Sequence, residues 1–165
     1  MARALIVGCG CRGRGLGERL SGEGWAVRGT SRTQEGLAAI EAAGIEPALA
    51  DPERPGTILD LVADVAVLYL LLGSAAGGTE LLEAIHGPRL ERLLEHLVDT
   101  PVRGVVYEAA GNVDRALLDG GAELVRAAGA TWRIPVAIVA AAPEDLSAWT
   151  QEMARAAVSV LTPTS

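Results

Sequence analysis

The residues of this chain that are best suited to bind a ligand form a glycine-rich turn near its start. Gly8, Gly10 and Gly13 have the spacing Gly-x-Gly-x-x-Gly, with Cys11 and Arg12 inside the same turn. Such glycines permit a tight turn, a close approach of the backbone to a pyrophosphate, and close packing of the next helix. The first amides of that helix would attract the phosphates. The pattern therefore predicts a dinucleotide site, and the alternative is a turn with a purely structural role.

A second polar group, Thr30, Ser31 and Arg32, follows the turn at the distance where a dinucleotide site contacts the ribose. An NAD site usually has an acidic residue there to bind the 2′-hydroxyl, but no Asp or Glu lies between positions 24 and 34. Two hydroxyls and a guanidinium suit a 2′-phosphate, and Arg12 has the length to reach the same phosphate. We therefore expect NADP rather than NAD, unless Arg32 is simply a solvated surface residue.

Candidates for acid–base chemistry are few. Glu108 and Tyr107 are the titratable residues expected where the fifth predicted strand ends, at the rim of the same site. A partly buried Glu108 would have a raised pKa and could act as a general acid. It would equally suit a solvated strand end or a hydrogen bond to a backbone turn. Tyr107 would be a poor base, because a phenol has an ordinary pKa of about 10. No ammonium group can lower it, since all 14 basic residues are Arg.

Apolar runs and helical spacings alternate along the sequence. Strands are predicted at residues 3–7, 25–29, 45–49, 64–72, 102–107 and 132–141. Helices are predicted at 14–22, 33–44, 55–62, 79–98 with a break at Gly87-Pro88, 112–128 and 143–161. This alternation indicates an α/β fold: one Rossmann domain over residues 1–165, with a doubly wound parallel sheet of six strands in the order 3-2-1-4-5-6.

In such a sheet the carboxyl ends of the strands line one cleft. The residues predicted to bind the cofactor there are Gly8, Gly10, Cys11, Arg12, Gly13, Thr30, Ser31, Arg32, Asp51, Leu71, Leu72 and Gly73. His86 and His96 are expected on solvated helix faces, and Tyr69 in the core. The two cysteines and two histidines lack the spacing of a metal site, so no metal is expected.

The net charge of −7 argues against nucleic acid or an anionic membrane as a partner. The charge is uneven, because residues 1–32 contain six Arg and two Glu, a balance of +4 that leaves −11 for the remainder. A local basic region in an acidic chain fits an anionic ligand at the turn. The sequence shows no signal segment and no apolar stretch long enough to span a bilayer, so a cytoplasmic protein is expected.

Together these residues resemble the short-chain dehydrogenase/reductase superfamily, and within it the atypical or extended branch of NAD(P)-dependent epimerase-like proteins. The resemblance rests on the glycine turn followed by Leu16, and on residues 24–32, Gly-Trp-Ala-Val-Arg-Gly-Thr-Ser-Arg. It implies that Asp51 contacts the adenine amino group and that the fifth strand ends facing the nicotinamide. Catalytic members use Tyr-x-x-x-Lys, whereas Gly111 stands four residues after Tyr107. The chain also stops about where extended members begin a substrate domain.

Three hypotheses about function follow. The first is a cofactor-binding module, a redox sensor or regulatory protein whose NADP occupancy is the signal, acting with a protein partner or as a homo-oligomer. The second is a small NADPH-dependent reductase in which water or Glu108 supplies the proton. The third is an interaction protein with an idle cofactor site. We rank them in that order.

Overall fold

A six-stranded parallel sheet forms the centre of the computed structural model, which describes residues 2–162. Its strands are β1 (Arg3–Val7), β2 (Ala26–Ser31), β3 (Glu46–Leu49), β4 (Val67–Leu70), β5 (Gly104–Glu108) and β6 (Val136–Val139). The spatial order is β3-β2-β1-β4-β5-β6, and every neighbouring pair is parallel. The predicted α/β fold class and strand order are confirmed.

Helices cover both faces of this sheet. They are α1 (Cys11–Gly22), α2 (Gln34–Ala42), α3 (Pro55–Leu59), α4 (Thr79–Ile85), α5 (Pro88–Leu97), α6 (Arg115–Trp132) and α7 (Leu146–Leu161). The apolar residues of α1, α2 and α7 pack on one face, and those of α3, α5 and α6 pack on the other. The predicted break at Gly87-Pro88 is present, because proline favours the first turn of a helix.

The central strands are buried on both faces. In β1, Ala4 and Ile6 contact the α1–α7 layer, while Leu5 and Val7 contact the opposite layer. All residues of β4 and β5 are buried as well. Near-continuous apolar runs are typical of parallel strands covered by helices on both sides. Because successive side chains of a strand point to opposite faces, adjacent residues at the end of β5 enter different layers.

Some predicted boundaries are wrong. Helices α6 and α7 each begin three residues later than the sequence pattern indicates, because Asp114 and Asp145 act as their N-caps. Their carboxylates accept hydrogen bonds from backbone amides of the first turn. Trp132, predicted to start β6, is the last residue of α6, and Arg133 ends that helix in the left-handed conformation with φ 56°. The fourth strand is also shorter than its apolar run.

An ion-pair network ties three strands and the loop before β4 together at the amino end of the sheet. Arg28 donates to both carboxylate oxygens of Asp64, at 2.8 and 3.1 Å, and to the Leu61 carbonyl at 2.8 Å. Its Nε also donates to Glu46 Oε2 at 3.0 Å. Arg3 lies 2.9 Å from each of the same two carboxylates. This network lies at the opposite end of the strands from the glycine turn, so we assign it a structural role.

Replacing Arg28 with Met should lower the free energy of unfolding by about 1–2 kcal/mol, because several charge-assisted hydrogen bonds are lost at a partly exposed site. Arg126→Met is the matched control, since Arg126 forms only an exposed pair with Glu123; it should change stability by less than about 0.5 kcal/mol. Urea denaturation measures both.

The difference in the free energy of unfolding between the parent protein and Arg28→Met should depend on pH. The hydrogen bond from Arg28 lowers the pKa of Asp64 below its ordinary value. A carboxylate with a lowered pKa stabilises the fold above its unfolded pKa, and that contribution disappears as the pH falls through the folded pKa. The difference between the parent protein and Arg28→Met should therefore shrink below about pH 4. An unchanged difference at pH 3 would contradict this role.

Candidate functional site

A cleft of about 360 Å³ opens at the carboxyl ends of β1, β2, β4 and β5. The predicted residues that line it are Gly8, Gly10, Cys11, Arg12, Gly13, Thr30, Ser31, Arg32, Asp51, Leu71, Leu72 and Glu108. Gly73 lies just behind the wall, with its amide directed to Glu108. The structure therefore gathers most of the residues that strand-end reasoning placed together, and Tyr107 is the exception.

The glycine turn leaves room for a ligand at its centre. Gly8 has φ +81°, and a Cβ there would lie 2.5 Å from the Leu71 carbonyl oxygen, so no other residue fits. A Cβ on Gly10 would meet no atom within 4 Å. Gly10 therefore faces open space in the cleft, as a backbone that approaches a pyrophosphate requires.

The third glycine of the motif has a smaller steric role than predicted. A Cβ on Gly13 would lie 3.4 Å from the Gly8 carbonyl oxygen and 3.5 Å from Ile6, which is ordinary van der Waals contact. Close packing occurs one turn later, at Gly17, where a Cβ would overlap the Ile45 side chain. In this helix Gly17 therefore leaves less room for a side chain than Gly13 does, because Ile45, just before β3, packs against it.

Helix α1 presents positive charge to the cleft. Gly10 is its N-cap, no side chain caps the first turn, and that turn contains no acidic residue. The first amides of a helix have no intrahelical acceptor, and they carry the positive end of the helix dipole. Arg12 and Arg14 are half-buried and line the cleft beside these amides. This combination suits an anionic ligand.

The end of β2 contains the groups predicted to meet a 2′-phosphate. Thr30 is buried and its hydroxyl accepts a hydrogen bond from the Gly8 amide at 3.3 Å, so it holds the glycine turn against β2. The Ser31 hydroxyl accepts from the Thr33 amide at 3.2 Å. Arg32 is exposed at the cleft and takes part in none of the ion pairs formed within residues 2–162. The guanidinium of Arg32 therefore lies at the cleft without an ion-pair partner in the described residues.

Asp51 lies on the same side of the cleft, after β3. Its Oδ1 accepts a hydrogen bond from the Glu53 amide at 2.9 Å, and its own amide donates to the Thr57 hydroxyl at 2.9 Å. These bonds fix the turn that leads into α3. They hold the Asp51 carboxylate at the wall of the cleft, where the resemblance implied a contact with adenine.

Arg12 does not extend toward Arg32 as predicted. Its Nη2 lies 3.6 Å from Glu108 Oε2, and its guanidinium carbon lies 5.5 Å from the centre of the Trp149 ring. Glu108 is on β5, three strand spacings of about 4.8 Å, or about 14 Å, from β2. The Nε of Arg12 is buried, with no hydrogen-bond partner in the described part of the chain. An orphaned donor of this kind is suited to a ligand in the cleft.

Glu108 is buried at the β5 end of the cleft, so the alternative of a solvated strand end is wrong. Its Oε1 accepts a hydrogen bond from the Gly73 amide, and its Oε2 accepts one from the Trp149 indole, each at 2.9 Å. Burial raises the pKa of Glu108, against the opposing effects of these donors and of Arg12. The residue thus both holds a backbone turn and lines the cleft.

Tyr107 points away from the cleft, into the α5–α6 layer. The Leu72 carbonyl can only accept, so His86 Nε2 carries the proton and donates to it at 2.9 Å. His86 Nδ1 then accepts a hydrogen bond from the Tyr107 hydroxyl at 2.6 Å. The prediction of a solvated His86 is wrong, because its side chain is only 2% exposed. Burial lowers the pKa of His86 and raises that of Tyr107.

Several residues of the cleft were missed by sequence reasoning, among them Arg14, Leu81, Ile85 and Trp149. All four belong to helices, whereas the prediction considered residues that follow strands.

Tyr69 is in the core as expected, and its hydroxyl donates to the Met153 carbonyl at 2.7 Å. Within residues 2–162, no helix is long and apolar enough to cross a membrane.

No protein-family model matches this sequence, and no curated protein matches it. Solved structures share its fold. BdcA (YjgI) from E. coli has a TM-score of 0.73 at 16% identity, covering 94% of this chain and 90% of that one. The triphenylmethane reductase of Citrobacter sp., complexed with NADP(H), has a TM-score of 0.60 at 18% identity, covering 82% of this chain and 48% of that one. A variant of the actinorhodin polyketide ketoreductase with NADPH has a TM-score of 0.64 at 22% identity, covering 82% of this chain and 67% of that one.

These likenesses define a class of fold. The chain has the Rossmann-like α/β fold of reductases whose structures contain NADP(H). It spans about half the length of the triphenylmethane reductase and of gox2253.

The geometry of the turn gives a matched pair of stability predictions. Gly8→Ala should lower the free energy of unfolding by about 1–3 kcal/mol or more, because alanine is strained at this φ and its Cβ meets a carbonyl oxygen. Gly10→Ala should change it by less than about 0.5 kcal/mol, because the new methyl group enters open space. Thermal or urea denaturation without any ligand measures both. Equal losses in the two variants would show that the turn is not constrained as described.

Proposed function

We propose that this chain binds NADP(H) across the cleft. The pyrophosphate would be held by the amides at the start of α1, beside Gly10. The 2′-phosphate would be held by Arg32, and the adenine would lie near Asp51. The sheet order then leaves the nicotinamide for the β4–β5 end, near Leu71 and Glu108. The cofactor would supply hydride chemistry at that end.

The observation that carries the proposal is the conjunction of Gly10 and Arg32 on one cleft. Gly10 faces open space beside an uncapped helix, which fits a pyrophosphate. Arg32 stands where an NAD site usually has a carboxylate. The NADP(H) complexes among the structures of similar fold support the same cofactor.

We further propose that binding is itself the function, in a redox sensor or regulatory module. The chain contains no Lys, so it lacks the Tyr-x-x-x-Lys pair of catalytic short-chain dehydrogenases. Tyr107 supports this view, because its hydroxyl is committed to His86 beneath the cleft wall. Occupancy of the site would then be read by a protein partner or by a second copy of the chain.

A small NADPH-dependent reductase is the second candidate, and Glu108 is the observation that favours it. A buried carboxyl with a raised pKa retains its proton to a higher pH than an exposed one and can serve as a general acid. Steady-state turnover of a panel of carbonyl compounds with NADPH separates the candidates. The sensor proposal predicts little turnover. Turnover that is lost in Glu108→Gln and kept in Tyr107→Phe would favour the reductase instead.

The cofactor proposal predicts a selective loss in Arg32→Ala. The affinity for NADPH should fall about 10- to 100-fold, because charge-assisted hydrogen bonds to the 2′-phosphate are removed. The affinity for NADH, which has no such phosphate, should change less than about twofold. Fluorescence titration of the reduced cofactors measures both affinities. Arg126→Ala is the control, because it removes the same charge from an exposed site on α6.

Two results would contradict this assignment. One is a parent protein that binds NADH more tightly than NADPH. The other is an Arg32→Ala variant in which both affinities fall by the same factor.

A further inference from the structure

We propose that the pair formed by Arg12 and Glu108 makes the cleft discriminate between the two redox states of the dinucleotide, in favour of the reduced form. The inference rests on the proposed function, because it concerns the ring that NADP(H) would place at the β5 end. It adds a regulatory property that the fold and the glycine turn do not imply.

Arg12 is the member of the pair that a ligand would meet. The side chain of Arg12 is 32% exposed and that of Glu108 is 1% exposed, although the two groups lie only 3.6 Å apart. The carboxyl is therefore the more deeply buried of the two groups. Both residues line the cavity at the end that the sheet order assigns to the ring.

Arg12 supplies the positive charge of this pair, and it is the more exposed of the two residues. Glu108 is faced by Arg12 from α1, by the Trp149 indole from α7 and by the Gly73 amide from the loop after β4, while Tyr107 on its own strand points to the other layer. Burial raises the pKa of Glu108, and the Gly73 amide, Arg12 and the Trp149 indole oppose that effect.

The two forms of the cofactor differ in the charge of the ring. The oxidised nicotinamide carries a positive charge, whereas the reduced ring is uncharged and rich in electrons. A guanidinium is attracted to the face of an electron-rich ring and repelled by a cation. Arg12 already lies over one aromatic ring, Trp149, at 5.5 Å.

Only the ring can produce a preference, because all the other groups of the two forms are the same. Contacts with the pyrophosphate and the 2′-phosphate stabilise both forms equally, and equal affinity shifts no equilibrium. A guanidinium beside the ring supplies the missing difference. Occupancy of the site by NADPH would then follow the ratio of the reduced to the oxidised cofactor.

Calorimetric titration with three ligands tests this inference: NADPH, NADP⁺, and ADP-ribose 2′-phosphate, which lacks the ring. The parent protein should bind NADPH roughly tenfold more tightly than NADP⁺. In Arg12→Met the ratio of the two affinities should fall to within about twofold of one. In Glu108→Gln the ratio should rise, because the guanidinium loses its counter-charge. Because ADP-ribose 2′-phosphate has the phosphates and no nicotinamide ring, its affinity shows whether these substitutions change the binding of the phosphates.

Arg32→Ala is the control that separates this inference from the proposed function. It should weaken the binding of all three ligands and leave the ratio of NADPH to NADP⁺ affinities unchanged. Equal affinities in the parent protein, or an unchanged preference in Arg12→Met, would overturn the inference while the cofactor assignment stands. Failure of the parent protein to bind any of the three ligands would overturn both. Arg12 is half-exposed, so Arg12→Met decides the matter even if the buried substitution at Glu108 impairs folding.

Discussion

The site depends on how tightly the backbone turns between β1 and α1. The Gly8 amide donates to the Thr30 hydroxyl at 3.3 Å, and the Cys9 amide donates to the Thr30 carbonyl at 3.0 Å. On the other side the Leu71 carbonyl fills the space that a side chain at position 8 would need. The turn is thus held between the ends of β2 and β4, and it aims the start of α1 at the cleft. The basic character of the cleft follows from that placement.

The alternation of side chains at the end of β5 decides which acid–base groups reach the cleft. Tyr107 enters the layer beneath the wall and binds His86, while Glu108 enters the layer of α1 and α7 and meets Arg12 and Trp149. One position along the strand therefore separates a structural tyrosine from a carboxyl in the cleft. This is the physical reason why a carboxyl–guanidinium pair, and not the tyrosine, lines this end of the cleft.

Much of the fold and of the glycine-turn end of the cleft could be predicted from the sequence, because both depend on local patterns. The apolar runs, the glycine spacing and the absence of an acid near Arg32 are all read within short stretches. The β5 end depends on contacts that no local pattern contains. Trp149 meets Glu108 across 41 positions, and His86 meets Tyr107 across 21. The direction of Arg12 follows from that long-range contact, so the sequence placed it in the cleft but on the wrong side.

The central claim, that NADP(H) lies over the glycine turn, can be tested with a thiol that the turn itself provides. Cys11 is exposed in the turn, whereas Cys9 is buried with a pKa raised to about 11, so alkylation should be confined to Cys11. The measurement is the rate at which iodoacetamide labels Cys11, followed by mass spectrometry, without ligand and with NADPH or NADH at equal concentration. We predict that NADPH slows the labelling strongly and that NADH slows it less. Labelling of Cys11 at the same rate with and without NADPH would contradict the account.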